Sequence, residues 1–301
     1  MSGLLVAFGL ALTTITATPT LNASASTPSE PTPSDTGTIR IDVESSGTSR
    51  AYLLHAPAAP AKPIPLLLAL HGRFQTASSA RSITGFEAVA DERGFVVAFP
   101  SALGGGWNAG TCCSTGSDDN VPDVIFLDDV ITDIATRTPI DLRRVYVVGL
   151  SNGGMMSYRY GCQRAGRVAG IGVVAGAMVA DDSFGQPAPP ACRPESAVAL
   201  LHVHGTADTT VAPTGGYQPG LASATTAMSE SVAIYASAAG CRRTKDTRTG
   251  ALTVVSYGDC ATSAGKGVAS VSIEGFGHGW TRDGFGYDTT VEIWDFLDRQ
   301  V

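Results

Sequence analysis

Hydrophobic and polar positions change their period along the chain. Over residues 38–43 and 50–55 apolar and polar residues alternate in twos, as in half-buried strands, which predicts an antiparallel opening hairpin. Residues 65–70, 95–99, 145–150, 170–175, 198–204 and 268–273 are short apolar runs without that alternation. Strands buried on both faces read this way. Between them, helical character over 78–93, 123–137, 153–162, 221–239 and 289–299 gives a strand, helix, strand order over most of the chain. That order predicts an α/β class: a mainly parallel central sheet flanked by helices, with right-handed crossovers.

The ends and one interior stretch depart from this pattern. Residues 4–12 are apolar but too few to span a bilayer, and Ala-Ser-Ala at 24–26 suits signal-peptidase cleavage. Residues 1–26 are therefore expected to be a signal peptide, although no Lys or Arg precedes the apolar run. A Pro/Ser-rich linker over 27–37 and one catalytic domain over 38–301 complete the expected organisation. No Cys follows the apolar run, so no stable membrane anchor is expected. Residues 101–122 lack periodicity, and loops of that length are commonly functional.

Composition narrows the classes. At 44% hydrophobic and 16% charged, the chain has ample material for a core. Its 20 Lys+Arg against 27 Asp+Glu give a net charge of −7 without a basic run, which argues against nucleic acid as a partner. Six cysteines, with no Cys-x-x-Cys and no His at zinc spacing, predict disulfides, export to an oxidising compartment and no metal site. The favoured pairs are Cys241–Cys260 and Cys162–Cys192, leaving Cys112 and Cys113 as a vicinal pair. A bridge from one of that pair to Cys162 is the alternative.

The chemistry centres on Gly149-Leu150-Ser151-Asn152-Gly153, which follows an apolar strand and precedes a helical segment. Gly-x-Ser-x-Gly between strand and helix predicts a tight turn that lifts a nucleophilic Ser151 clear of the sheet. The Asn152 N–H, at the helix N-terminus, is an expected oxyanion donor. A serine needs a base, and that base an orienting acid. In α/β-hydrolases the acid and then the histidine follow the serine. Of five histidines only His278, in a Gly-rich loop after the last strand, occupies the late position. Asp208, just beyond the strand ending near 204, is the expected acid, with Asp181 and Asp182 as rivals. The second oxyanion donor is expected in His71-Gly72-Arg73-Phe74-Gln75, from the N–H of Arg73 or else Phe74. Gln75 is expected to bond either this loop or the substrate. Trp107 and Trp280 are candidates to line an acyl or aromatic pocket, with core packing as the alternative.

Taken together, Leu70-His71-Gly72…Gln75-Thr76, Trp107-Asn108…Cys112-Cys113, the Ser151 block, His204-Gly205-Thr206-Ala207-Asp208…Val211 and Gly275-Phe276-Gly277-His278-Gly279-Trp280 resemble the polyhydroxybutyrate depolymerase/feruloyl esterase group of secreted α/β-hydrolases. The resemblance runs from about residue 38 to 300. It implies an α/β-hydrolase fold, a Ser151–Asp208–His278 triad, no cofactor, and hydrolysis of hydroxyalkanoate oligomers, feruloyl or acetyl polysaccharides, or small acyl esters. A monomer is expected. Departures at Arg73-Phe74 and Trp280-Thr281-Arg282, and the lack of an appended polymer-binding domain, point to soluble oligomers or small esters. The other readings are a serine peptidase of the same fold and a noncatalytic binding protein on a hydrolase scaffold.

Overall fold

The structure, a computed structural model, describes residues 37–57, 60–110, 112, 121–179, 192, 194–221, 223–261 and 267–300. The expected signal peptide, most of the linker, Cys113, Asp181 and Asp182 lie outside the described residues.

The chain opens with β1 (Ile39–Ser45) and β2 (Thr48–His55), joined by Ser46 and Gly47 at φ 50° and 76°. Two successive positive φ values match the right-handed twist of a tight hairpin, and the antiparallel pair forms as its alternation predicts. There follow β3 (Ile64–Leu70), α1 (Ala77–Thr84), α2 (Phe86–Arg93), β4 (Val96–Pro100), α3 (Asp123–Arg137), β5 (Ile140–Leu150), α4 (Asn152–Gln163), β6 (Gly170–Val174) and β7 (Ala199–Gly205). The last part holds β8 (Gly216–Gln218), β9 (Ser223–Thr225), α5 (Met228–Ala238), β10 (Arg242–Thr249), β11 (Leu252–Gly258), β12 (Val268–Ile273) and α6 (Thr289–Asp298). Ten strands form one sheet in the order β1-β2-β4-β3-β5-β6-β7-β12-β11-β10. From β4 to β12 every neighbouring pair is parallel, and the antiparallel pairs lie at the two ends.

The sheet is covered on both faces, which is why its central strands show no alternation. Leu66, Leu68 and Leu70 of β3 pack in one layer with Phe126 and Leu127 of α3, Tyr158 of α4 and Tyr235 of α5. Leu67 and Ala69 pack in the other with Phe86 of α2 and Trp294 of α6. The α/β-hydrolase arrangement expected from the sequence is present.

Two helical segments differ from expectation. The helix over 78–93 is two helices, because Gly85 at φ 63° ends α1 with its N–H on the Arg81 carbonyl. The helix over 221–239 begins only at Met228, since residues 216–225 pair as the separate β8–β9 ribbon. The polar stretch between Cys241 and Cys260 forms β10 and β11, adding two strands to the sheet edge. Disulfides Cys162–Cys192 and Cys241–Cys260 are both present, which rules out a bridge from Cys112 or Cys113 to Cys162; Cys112 is itself disulfide-bonded. Among the described residues no helix is long and apolar enough to cross a membrane.

Candidate active site

Ser151 sits between the last residue of β5 and the first of α4, at φ 56° and ψ −122°. A non-glycine residue held there costs on the order of 1–3 kcal/mol and persists only where its surroundings dictate it. Those surroundings are visible. Ser151 N donates to the Val174 carbonyl at 2.8 Å, tying the turn to β6. The turn is closed so tightly that a Cβ on Gly149 would lie 2.2 Å from the Gly153 carbonyl carbon, and one on Gly153 would lie 2.4 Å from the Leu70 oxygen. Only glycine fits at either position. Asn152 opens α4, where first-turn amides lack a helical acceptor.

The two loops that carry His278 and Asp208 follow β12 and β7, which are neighbours in the sheet although about 70 residues apart in sequence. They are stitched together: Ala207 N donates to the Phe276 carbonyl at 2.9 Å, and Gly275 N to Thr206 Oγ1 at 3.0 Å. This places His278 Nδ1 2.8 Å from Asp208 Oδ2, with the Asp208 side chain fully buried and the imidazole 23% exposed. Asp208 Oδ1 accepts from Thr210 N at 2.8 Å and Val211 N at 2.9 Å. Burial alone would raise the Asp208 value, but hydrogen bonds from His204, His278 and Val211 outweigh it and hold the carboxyl well below the usual range. An ionised acid fixes the His278 proton on Nδ1, leaving Nε2 as the acceptor nitrogen. Among the described residues no hydrogen bond joins Ser151 Oγ to His278; such contacts are often long before substrate binds.

The His71–Gln75 loop is braced from within. Buried His71 donates from Nδ1 to the Gly72 carbonyl at 2.7 Å and accepts at Nε2 from Ala102 N at 3.0 Å. Burial lowers its proton affinity, against the pull of the Gly72 carbonyl, so it stays a neutral strut. Gln75 Oε1 accepts from Gly72 N at 2.8 Å, which bonds it to the loop. Phe74 N is committed to the Gly105 carbonyl at 2.6 Å.

Comparison with known proteins places the chain in a family. No family model matches the chain. Over 295 residues it is 32% identical to "Putative esterase NocK" of Nocardia uniformis subsp. tsuyamanensis, covering 91% of this chain and 83% of that one. The chain belongs to the polyhydroxybutyrate depolymerase/feruloyl esterase family. It is a carboxylic ester hydrolase. This esterase is also 31% identical over 159 residues to feruloyl esterase B of Piromyces equi, covering 52% of this chain and 28% of that one. It is 33% identical over 133 residues to poly(3-hydroxybutyrate) depolymerase of Ralstonia pickettii, covering 40% and 27%. Among solved structures, acetyl xylan esterase from Aspergillus awamori superimposes with a TM-score of 0.63 at 16% identity, over 86% of this chain and 99% of that one. That likeness is one of fold.

Of the two tryptophans considered for a pocket, Trp107 takes the alternative of core packing, while Trp280 is partly buried. Trp107 is fully buried: its ring lies between His71 and Phe126, and Nε1 donates to the His71 carbonyl at 2.9 Å. Its main chain is clamped by Asn152, whose Oδ1 accepts from Trp107 N at 2.6 Å and whose Nδ2 donates to the Trp107 carbonyl at 3.0 Å. Trp107 is therefore a strut between the Ser151 turn and the His71 loop. Trp280 packs edge-on against Phe86, and its Nε1 donates to Thr290 Oγ1 at 3.0 Å, so its indole also faces packing partners. Behind Trp107, Asn108 N donates to Asp123 Oδ2 at 2.7 Å, and Asp123 pairs with Arg50 at 2.7 Å with both side chains buried. Sequence reading did not find this pair. Its only signal was an Arg within an otherwise apolar strand face. Among the described residues no cluster of three His, Cys, Asp or Glu is arranged to hold a metal. A cavity of about 360 Å³ beside α1, α2 and Arg282 is lined by none of Ser151, Asp208, His278 or the His71–Gln75 loop.

Proposed function

We propose that this esterase transfers the acyl group of a soluble ester to water through an acyl-enzyme on Ser151. His278 takes the serine proton as Ser151 attacks the carbonyl, then delivers it to the leaving alkoxide and activates water for deacylation. Asp208 orients the ring and stabilises the imidazolium. The N–H groups of Asn152 and Arg73 receive the oxyanion, and a donor of this kind is worth about 10²–10³-fold in rate. The observation that carries the reading is the 2.8 Å bond from His278 Nδ1 to a fully buried, ionised Asp208, in loops at the sheet end that also bears the Ser151 turn.

Substrate preference follows from the rim. Phe74 is 72% exposed at φ 61°, and the Arg73 guanidinium lies 4.7 Å from its ring centroid. An aromatic face with a cation beside the oxyanion loop suits small aryl, feruloyl or acetyl esters and hydroxyalkanoate oligomers better than a flat polymer surface. Two disulfides support export to an oxidising compartment. The test is Ser151→Ala, which should abolish p-nitrophenyl butyrate hydrolysis with an unchanged melting curve; retained turnover would defeat the proposal. Specificity constants across nitrophenyl esters, methyl ferulate, acetylated xylan and hydroxybutyrate oligomers then assign the acyl group. Best turnover on insoluble polyester would contradict the rim argument.

A further inference from the structure

Behind Asp208 runs a line of buried polar side chains that the acyl-transfer steps leave unused. Tyr158 on α4 and His202 and His204 on β7 are 1%, 0% and 2% exposed. The two-residue period of a strand puts the histidines on one face. Hydrogen-bond spacing joins the line: Tyr158 Oη to His202 Nδ1 at 2.6 Å, and His202 Nε2 to His204 Nδ1 at 2.9 Å. His204 Nε2 lies 2.8 Å from the Val211 carbonyl and 3.2 Å from Asp208 Oδ2. That carboxylate oxygen is the one His278 Nδ1 binds.

The protons of this line can run in one direction only. The Val211 carbonyl and ionised Asp208 are acceptors, so His204 Nε2 carries a proton. Burial, reinforced by His204, keeps His202 neutral against the pull of the Gly176 carbonyl, leaving it one N–H and one lone pair. The Tyr158 hydroxyl decides which nitrogen has which. Burial keeps the phenol protonated, and among the described residues its hydrogen-bond partner is His202 Nδ1. Were it to accept there, its own hydrogen would be stranded in the core. Tyr158 therefore donates to His202 Nδ1, His202 donates from Nε2 to His204 Nδ1, and His204 donates from Nε2.

We propose that His204, locked in this tautomer by Tyr158 and His202, is a positioning residue that shares the Asp208 oxygen with His278 and so limits how strongly the acid draws a proton onto the base. The inference rests on the triad reading above. His204 Nε2 has one N–H, shared between the nearer Val211 carbonyl at 2.8 Å and Asp208 Oδ2 at 3.2 Å, and a carboxylate oxygen that also faces this second donor offers His278 less charge than it would alone. Without the His204 donor, that charge falls on His278 N–H, the imidazolium is stabilised, and His278 stays protonated and idle to a higher pH. The titratable groups facing the line are His278 and Asp208 from the loops and Tyr235 from α5, whose hydroxyl donates to the Tyr158 carbonyl at 2.8 Å.

The experiment is the pH profile of kcat/KM for p-nitrophenyl butyrate in the parent, His204→Phe and His204→Gln. His204→Phe should move the acid limb up by about half to one pH unit, while His204→Gln, whose Nε2 restores a donor, should move it back toward the parent. A uniformly lowered profile with an unmoved limb in His204→Phe, or a Gln variant shifted as far as the Phe variant, would overturn the proposal. Imidazole ¹⁵N spectra of the parent protein give a readout free of folding effects. Neutral Nε2–H tautomers at both His202 and His204 from about pH 5 to pH 8 are expected. An Nδ1–H tautomer or an imidazolium at His204 would overturn it. Activity retained in Ser151→Ala defeats the triad reading itself; activity lost there with a negative His204 result defeats this inference alone.

Discussion

Asp208→Asn isolates the work of the acid, because the two side chains share one shape and differ in the group at one position. Two main-chain amides, Thr210 N and Val211 N, donate to Oδ1 at 2.8 and 2.9 Å, while His278 and His204 reach Oδ2. Asparagine must keep its carbonyl toward the two amides, since the reverse would set its NH₂ against two buried donors. Its NH₂ then faces His278 Nδ1 at the 2.8 Å position, and the ring can answer only by moving its proton to Nε2. That nitrogen is the one that has to accept from Ser151. The expected loss in kcat/KM is about 10⁴-fold, about 5 kcal/mol of transition-state stabilisation. Fold stability should suffer less, by about 2–3 kcal/mol for two charge-assisted bonds weakened or lost. Initial rates on p-nitrophenyl butyrate, paired with a urea unfolding curve, measure both. A folded Asp208→Asn protein within tenfold of parent activity would refute the reasoning.

Other consequences are open to measurement. Because Asp208 in the fold lies below its ordinary value of 3.8, its ionisation stabilises the protein above about pH 4 and that stability is lost as pH falls further; the parent should lose stability in acid more steeply than Asp208→Asn. Arg50→Met leaves Asp123 buried and uncompensated behind Asn108, and should cost about 3–5 kcal/mol in urea unfolding. A loss under about 1 kcal/mol would mean the pair does not hold that loop. Reductant should lower the melting temperature, since disulfides closing segments of 30 and 19 residues are worth about 3 kcal/mol each. An unmoved transition would show that neither constrains the unfolded chain.

The fold was legible where both faces of a strand are apolar. The runs that became β3, β4, β6, β7 and β12 could be read directly, because burial on two sides leaves few polar positions, His202 and His204 of β7 being the conspicuous ones. β10 was harder, since Arg242, Arg243, Asp246 and Arg248 sit exposed on an edge strand and carry no core signal. The Ala-rich stretch before α5 has helical propensity, yet Thr226 N is held by the Met178 carbonyl and Met228 N by Pro213, contacts that local spacing does not encode. In the site, the order serine, acid, histidine belongs to the α/β-hydrolase topology rather than to the chemistry, and it let Ser151, Asp208 and His278 be named from sequence as candidates. Trp107 looked like a pocket residue because it lies in a loop; its burial depends on His71 and Phe126, which only the tertiary fold brings to it. His202 and His204 could have been read as a same-face pair on one strand. Their partner Tyr158 lies 44 residues upstream on a helix, and no local pattern joins it to them.

The central claim is that Ser151 is a nucleophile activated by His278 and Asp208. It is tested most directly by treating the native esterase with a fluorophosphonate and measuring the mass of its peptides. One phosphonyl adduct, on the peptide carrying Ser151, with loss of ester hydrolysis in step with labelling and no adduct in Ser151→Ala, is the predicted result. Full esterase activity in protein labelled at Ser151, or inactivation with the adduct on another residue, would contradict it.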